Sequence, residues 1–526
     1  MSRRDFLRQA TVGGLAAILP DRASSQQTST SQSALSFNVR SFGATGDGKT
    51  IDTPAVNRAI EAAAAAGGGT VLFPSGTYAS FTIRLKSHIC LRLEAGATIL
   101  AAPVPPEGTA SGGYDPAGPP QPWEAYQDFG HNHWPNSLIW GDGLEDICIC
   151  GPGLIWGKGL SRGERDELPR ADSPGAGNKA IALKNCRNVT FHGFRVLMGG
   201  HFAILLTGVD NVVIDGLTID TNRDGIDIDC CRNVRVANCA VNSPWDDAIC
   251  PKSSFALGYA RTTENVTITN CYVTGAYQYG TMLDGTWKPG SYSDVRKAVG
   301  RIKCGTESNG GFINITISNC VFDHCRGLAL ETVDGAHIED ICISNITMRG
   351  VVHSPFFLRL GARLRGPAGI VPGVLRRVLI SNVSSFSAVA EYPSIIAGLP
   401  GSPIEDVKIS DVYLHQLGGQ TQELASRVPP ESEKAYPEAS MFGPLPARGF
   451  FLRHARNVEL SNVEIATAAP DPRAAIWADD VDGLDVFRLR PGTAPAYQLR
   501  NVRQFRNFGS AHVQDRTLSN VDTENF

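Results

Sequence analysis

A right-handed parallel β-helix, an all-β solenoid, is the fold that this 526-residue sequence predicts, and three observations predict it. From about residue 180 one short pattern keeps restarting: NVTFHGFRV at 188, NVVIDGLTI at 211, NVRVANCAV at 233, NVTITNCYV at 265, NITISNCVF at 314 and DICISNITM at 340. The intervals are 23, 22, 32, 49 and 26 residues. Within each unit apolar and polar residues alternate over short β-rich runs, the period of a strand with one buried face. Gly, Asn or Asp punctuates each run and turns the chain. Short strands repeating at this length describe coils that each bury their inward residues on those of the next.

The elements follow in chain order. The opening SRRDFLRQATVGGLAAILP places Arg3-Arg4 ahead of Phe6-Leu7 and a modest apolar run, with a Ser/Gln-rich tract behind it. It reads as a twin-arginine export signal over residues 1–24 and a disordered linker over 25–35, which predicts a periplasmic or secreted protein. No later apolar run reaches the ~18 residues of a membrane span. The block FNVRSFGATGDGKTIDTPAVNRAIEAAAAAGGGTVLFPSGTY then begins the β-helix, expected over 36–490. Thr53 caps a predicted helix from Pro54 through Ala65, Gly67-Gly68-Gly69 ends it, and the helix closes one end of the solenoid against open-ended strand pairing. Weaker repeats follow at 376, 405 and 457. Residues 415–445 lack the pattern and read as a long loop, and residues 491–526 as a C-terminal cap.

Composition narrows the function classes. The chain is 42% hydrophobic and 19% charged, with a formal charge of -4 and no basic stripe with interleaved aromatics. That balance excludes a nucleic-acid partner and requires local cations for any polyanionic substrate. The thirteen cysteines are odd in number. Cys239, Cys271 and Cys320 each fall six residues after Asn233, Asn265 and Asn314, so they occupy equivalent repeat positions and read as buried, reduced thiols. Neither CxxC clusters nor zinc-spaced His pairs occur, and no metal or cofactor is expected. The protein is expected to act as a monomer.

Chemistry concentrates in TNRDGIDIDCCRNVRVANCAVNSPWDDAICPKS, residues 221–253. One coil advances about 4.8 Å along the axis. Asp224 and Asp246 are 22 residues apart, as are Asn211 and Asn233, so the two acids are expected to stack on adjacent coils with Asp247 beside them. Successive strand residues point to opposite faces, and Pro244 supplies the bend that lets Asp246 and Asp247 share one groove. Clustered carboxylates raise one another's pKa, which leaves one protonated and another ionised, the pairing that breaks a glycosidic bond. Asp227 and Asp229 alternate along the strand and fit either a supporting role or simple turn and backbone bonding. Arg301 and Lys303 alternate in VGRIKCG, so both can face the groove and hold a sugar carboxylate. Lys252 is a further candidate contact.

These residues resemble the sequence signatures of glycoside hydrolase family 28, the polygalacturonases, whose bacterial exo-acting members are also suggested by PFFLRLGARLRG and YPEASMFGPLPARGFFLRHARN. The family's Asn-Thr-Asp is matched by Asn222 and Asp224 with Arg223 in place of Thr, its Asp-Asp by Asp246-Asp247, and its Arg-Ile-Lys by Arg301-Ile302-Lys303. Its Gly-His-Gly is missing. Tyr279-Gly280 is the nearest counterpart, Tyr277 or Gln278 could also occupy the site, and no His lies within residues 202–323, although His201 stands one coil before Asp224. The resemblance implies an exported, inverting hydrolase of galacturonate-containing pectic polysaccharide, probed through Asp246 as general acid, Asp224 and Asp247 as activators of water, and Asn222, Tyr279, Lys252, Arg301 and Lys303 as substrate contacts. Rival readings are rhamnogalacturonan or another acidic polysaccharide as substrate, a lyase, and a non-catalytic glycan-binding β-helix.

Overall fold

The computed structural model describes residues 35–104, 112–162, 170–493 and 495–526. The expected export signal lies outside the described residues, as does all but the last residue of the linker. Residues Ser36–Phe526 form one compact unit. No helix among the described residues is long and apolar enough to cross a membrane.

Parallel pairing between strands about one coil apart builds the solenoid. Strands Phe202–Thr207, Asp224–Asp229, Ile249–Lys252, Ile302–Cys304 and Leu328–Thr332 stack in that order. Their inward residues Ile204, Ile226, Ile249, Ile302 and Leu328 form one continuous column, all fully buried. A second column runs Phe191, Ile214, Val236, Ile268, Ile317, Ile343 and Ile380. Each aliphatic side chain thus packs on its register partner, and every turn of chain adds apolar area removed from water.

The Asn that opens each repeat has a conformational reason. Asn188, Asn211, Asn233, Asn265 and Asn314 all adopt φ of 57° or 58°, a left-handed conformation that Asn tolerates. Their amides also form a ladder: Asn211 donates to Asn188 at 3.0 Å, Asn233 to Asn211 at 3.1 Å, Asn265 to Asn233 at 3.1 Å and Asn314 to Asn265 at 2.8 Å. Cys239, Cys271 and Cys320 are buried as expected, and each thiol donates to the carbonyl two residues earlier at 3.2 Å. All thirteen cysteines are free thiols.

The predicted capping helix spans Thr53–Ala65 with Pro54 in its first turn. Asp52 rather than Thr53 occupies the cap position, because the Thr53 hydroxyl accepts the Phe81 N–H at 2.7 Å and serves the coil below. At the other end the parallel ladder runs past residue 490: Tyr497–Phe508 still pairs parallel with Ala474–Phe487. Only Arg516–Asn525 turns back, antiparallel, and covers that edge.

Candidate active site

The coil that carries the acids is one residue longer than the repeat before it. Thr218 pairs with Ala240, an interval of 22, but Ile226 pairs with Ile249 and Asp227 with Cys250, an interval of 23. The extra residue is taken up in the Pro244-Trp245 bend, where the Trp245 N–H donates to the Asn222 carbonyl. This corrects the expected stacking. The Gly225 N–H donates to the Asp247 carbonyl at 2.9 Å, so Asp224 lies over Asp247, and Arg223 lies over Asp246. A slip of one residue changes which side chains meet.

Both consequences are visible in the contacts. Asp224, Asp247 and Cys250 bring a carboxylate oxygen each and the thiol sulfur within 4.8 Å of one another. Asp246 instead accepts from Arg223, at 2.8 Å from Nη2 and 3.2 Å from Nε. Asp246 is the acid that keeps access to solvent, its side chain 24% exposed, whereas those of Asp224 and Asp247 are 3% and 1% exposed. Burial, then the neighbouring charges of Asp227 and Asp246, push the Asp224 carboxyl well above the usual carboxylate range. Burial works the same way on Asp246, but Arg223 and then Lys303 outweigh it and hold its carboxyl below its ordinary value. Of these two carboxyls, Asp224 is the one whose surroundings favour the protonated form and Asp246 the one whose surroundings favour the carboxylate.

The expected cations are present but buried within the cluster. Arg301 is 1% and Lys303 3% exposed. Arg301 Nε donates to Asp247 Oδ1 at 2.9 Å, and Lys303 Nζ pairs with Asp247 Oδ2. Lys252 Nζ lies 3.0 Å from Asp227 and 3.8 Å from both Asp224 and Glu307. These cations first balance the acids. Asp229 accepts the Ser254 N–H and hydroxyl at 2.8 and 2.6 Å, a structural role, while Asp227 stands inside the site.

Two excursions from the coils complete the constellation, and neither was legible in the repeat. The first contains the short helix Phe129–Asn132. Its His131 Nε2 lies 3.5 Å from Asp227 Oδ2, while its Nδ1 lies 2.6 Å from Asp128, which also meets His201 Nε2 at 3.2 Å. Burial disfavours the charged ring, but the Asp128 carboxylate raises the His131 pKa to about 10, so the ring is an imidazolium. The second excursion, the long loop after Ile404–Gly418, carries Glu438. Glu438 accepts from Arg301 Nη2 at 2.6 Å and Arg326 Nη1 at 2.9 Å and lies 3.3 Å from His353 Nδ1. Sequence signals existed in DFGHNHW and YPEAS, which carry these groups in stretches without the repeat pattern.

Tyr279 is not drawn into the cluster. The Arg301-Ile302-Lys303 coil pairs directly with the Asp-Asp coil, Ile249 with Ile302, so no intervening coil stands between them. Tyr279 lies instead on the small antiparallel pair Tyr277–Tyr279 and Lys288–Pro289, with its side chain 59% exposed. The neighbouring Tyr277 stacks on Trp287 at 3.7 Å. Asn222 is half-buried beside the bend, engaged through its carbonyl.

Residues 36–91 match the family model described as "Rhamnogalacturonase A/epimerase, pectate lyase-like", and residues 174–292 match "Right handed beta helix region". A "Probable polygalacturonase" of Vitis vinifera is 24% identical over 414 residues, 73% of this chain and 74% of that protein. An exopolygalacturonase from Thermotoga maritima superposes with a TM-score of 0.58 at 18% identity, covering 93% of this chain and 95% of its own. The family 28 exopolygalacturonase of Yersinia enterocolitica gives 0.60 at 21% identity, covering 86% and 78%. By its right-handed parallel coils and by this similarity over nearly three quarters of its length, the chain is polygalacturonase-like.

Proposed function

We propose that this chain is an exported glycoside hydrolase that cleaves α-galacturonosyl linkages of pectic polysaccharide with inversion at the anomeric carbon, from a chain end. The convergence of Asp224, Asp246 and Asp247 on two adjacent coils, with only Asp246 open to solvent, carries this reading. A general acid must reach the glycosidic oxygen, and Asp246 is the accessible carboxyl. Asp224 and Asp247 stand close enough together to hold one water between them and the sugar.

Arg223 sets the proton inventory. A galacturonate carboxylate that engages the Arg223 guanidinium weakens its hold on Asp246, whose pKa then rises. The proton passes from Asp224 to Asp246, which leaves Asp224 ionised as base; the acids titrate as one coupled set. Asp246 then protonates the leaving oxygen as the glycosidic C–O bond breaks, water bonds to the anomeric carbon, and its proton goes to Asp224. The chain-end preference is supported by the two excursions, which bring His131 to the Asp224–Asp229 strand and Glu438 to Arg301 two coils on, at opposite ends of the row of acids. That arrangement suits a pocket better than an open groove.

The test is purified protein on defined galacturonan and rhamnogalacturonan oligosaccharides, with product mass and anomeric configuration read by mass spectrometry and NMR. Monomer release with inverted configuration is expected from galacturonan, and Asp246→Asn is expected to lower kcat by about 10²–10⁴-fold. An unsaturated uronide product would make it a lyase, binding without cleavage a glycan-binding module, and retained configuration would overturn the inverting mechanism.

A further inference from the structure

Nine of the thirteen cysteines are buried, Cys342 is exposed on its own, and the remaining three, Cys90, Cys148 and Cys150, are half-buried in one place. They sit on the strands Ile89–Leu93 and Glu145–Cys150, whose Ile89, Leu91, Ile147 and Ile149 fill the core. Alternation along a strand therefore puts all three thiols on the outer face of the solenoid. Outer positions on the neighbouring coils are mostly polar or charged, among them Thr70, Arg92, Thr190, His192 and Asp215, and a free cysteine is ordinarily among the most buried residues. Three partly exposed thiols together have no packing role to explain them.

Their geometry is that of a ligand set. Cys90 and Cys148 are direct register partners, and the three sulfurs lie within 4.8 Å of one another, Cys90 and Cys150 at 3.5 Å. Tetrahedral zinc, with Zn–S of about 2.3 Å, needs sulfurs about 3.8 Å apart. The register partner of Cys150 on the next coil is His192, on the same outer face. Its Nδ1 lies 3.1 Å from Asp215 Oδ2, which leaves Nε2 as the available nitrogen. A carboxylate on the far ring nitrogen is the usual orienting partner of a metal-bound histidine. Arg92, beside Cys150 in register, adds a positive charge that favours thiolate. A disulfide would use two of the three sulfurs and strand the third, whereas a metal uses them all.

We propose that Cys90, Cys148 and Cys150 form a zinc site on the outer face of the coils, with His192 as fourth ligand oriented by Asp215. The site is structural: all four positions are filled by protein, and the metal adds a cross-tie to coils already joined by their buried aliphatic residues, backbone ladders and ion pairs such as His88–Asp146 and Arg187–Glu145. Binding releases the thiol protons, so affinity rises with pH.

The experiment uses the full chain, reduced and metal-free, titrated with Co²⁺ as optical probe and then with Zn²⁺. One equivalent of cobalt is expected to give intense d–d bands and thiolate-to-metal charge transfer, and one equivalent of zinc to bleach them and protect three thiols from alkylation. Cys148→Ser should abolish the charge-transfer band at one equivalent. Asp215→Asn, which keeps every ligand and so survives any folding defect of the cysteine variant, should weaken zinc binding by about tenfold or more. The proposal is overturned if no charge-transfer band appears at millimolar cobalt, if the band persists in the triple Cys90, Cys148 and Cys150 serine variant, or if peptide mapping of the native protein finds a disulfide within the trio.

Discussion

Arg223 shows how much one residue decides at this site. It stands where the resembling family has a small Thr, and the one-residue lengthening of the coil lays it over Asp246 rather than over Trp245. Its guanidinium, followed by Lys303, overcomes burial and holds Asp246 below its ordinary range, whereas burial, then Asp227 and Asp246, push Asp224 above its own. Removing that cation raises the Asp246 pKa, and an acid with a higher pKa stays protonated further up the pH scale. Arg223→Gln should accordingly move the basic limb of the kcat/KM profile on a galacturonate oligosaccharide upward by about 1 unit or more, and Arg223→Lys should move it less. An unmoved limb would mean that Arg223 does not govern the coupled acids that supply the proton. The histidine of the resembling family's Gly-His-Gly, which local sequence lacks, is likewise a matter of one residue. His131 supplies an imidazolium next to Asp227, from about a hundred residues upstream.

At the scale of elements, the Asn that opens each repeat fixes a coil's register twice over, through its left-handed backbone and through its amide ladder. The two contributions can be separated. Asn233→Ala loses both, Asn233→Gly only the ladder, since Gly adopts the left-handed conformation freely. In urea unfolding the Ala variant is expected to be destabilised by about 2 kcal/mol and the Gly variant by about half as much. Equal losses would show that backbone strain contributes nothing there. The same ladders make the strands readable from sequence, because the pattern recurs wherever a coil repeats. The excursions are a different kind of element. The helix Phe129–Asn132 and the loop bearing Glu438 reach the site through individual ion pairs, among them His131 with Asp227, Asp128 with His201, and Glu438 with Arg301 and Arg326. No periodicity marks such contacts.

For the molecule as a whole, the buried acids tie stability to pH. Glu331 is fully buried one coil beyond Lys303, 3.5 Å from Arg301 and with neither oxygen hydrogen-bonded. Burial outweighs the attraction of Arg301 and Lys303 and raises its pKa from 4.5 to about 8. The sign follows from linkage: across that window the folded chain keeps a proton that the unfolded chain has released. The contribution to stability is complete below the ordinary carboxylate range and declines as pH rises toward 8. Glu331→Gln stays neutral throughout, so the fall in Tm between pH 5 and pH 8 should be smaller in the variant by a few degrees, at about 1 °C for each kcal/mol in a chain of this size. Equal falls in variant and wild type would contradict the raised pKa.

Residue spacing was enough to read the solenoid, its capping helix and the stretch in which acids cluster, because repeating local constraints write themselves into that spacing. Even the loss of the Gly-His-Gly histidine was legible. Tertiary structure alone decided what the acids meet. A single extra residue in the Pro244-Trp245 bend shifts the register that spacing arithmetic had assumed, and so pairs Arg223 with Asp246. Burial turns Arg301 and Lys303 from open contacts into counter-ions of Asp247. His131 and Glu438, like the Cys90, Cys148 and Cys150 trio, come from stretches far apart in the chain that winding brings side by side. Distance along the sequence carries no information about such neighbours, and it is through them that the protons and ligands of this protein are placed.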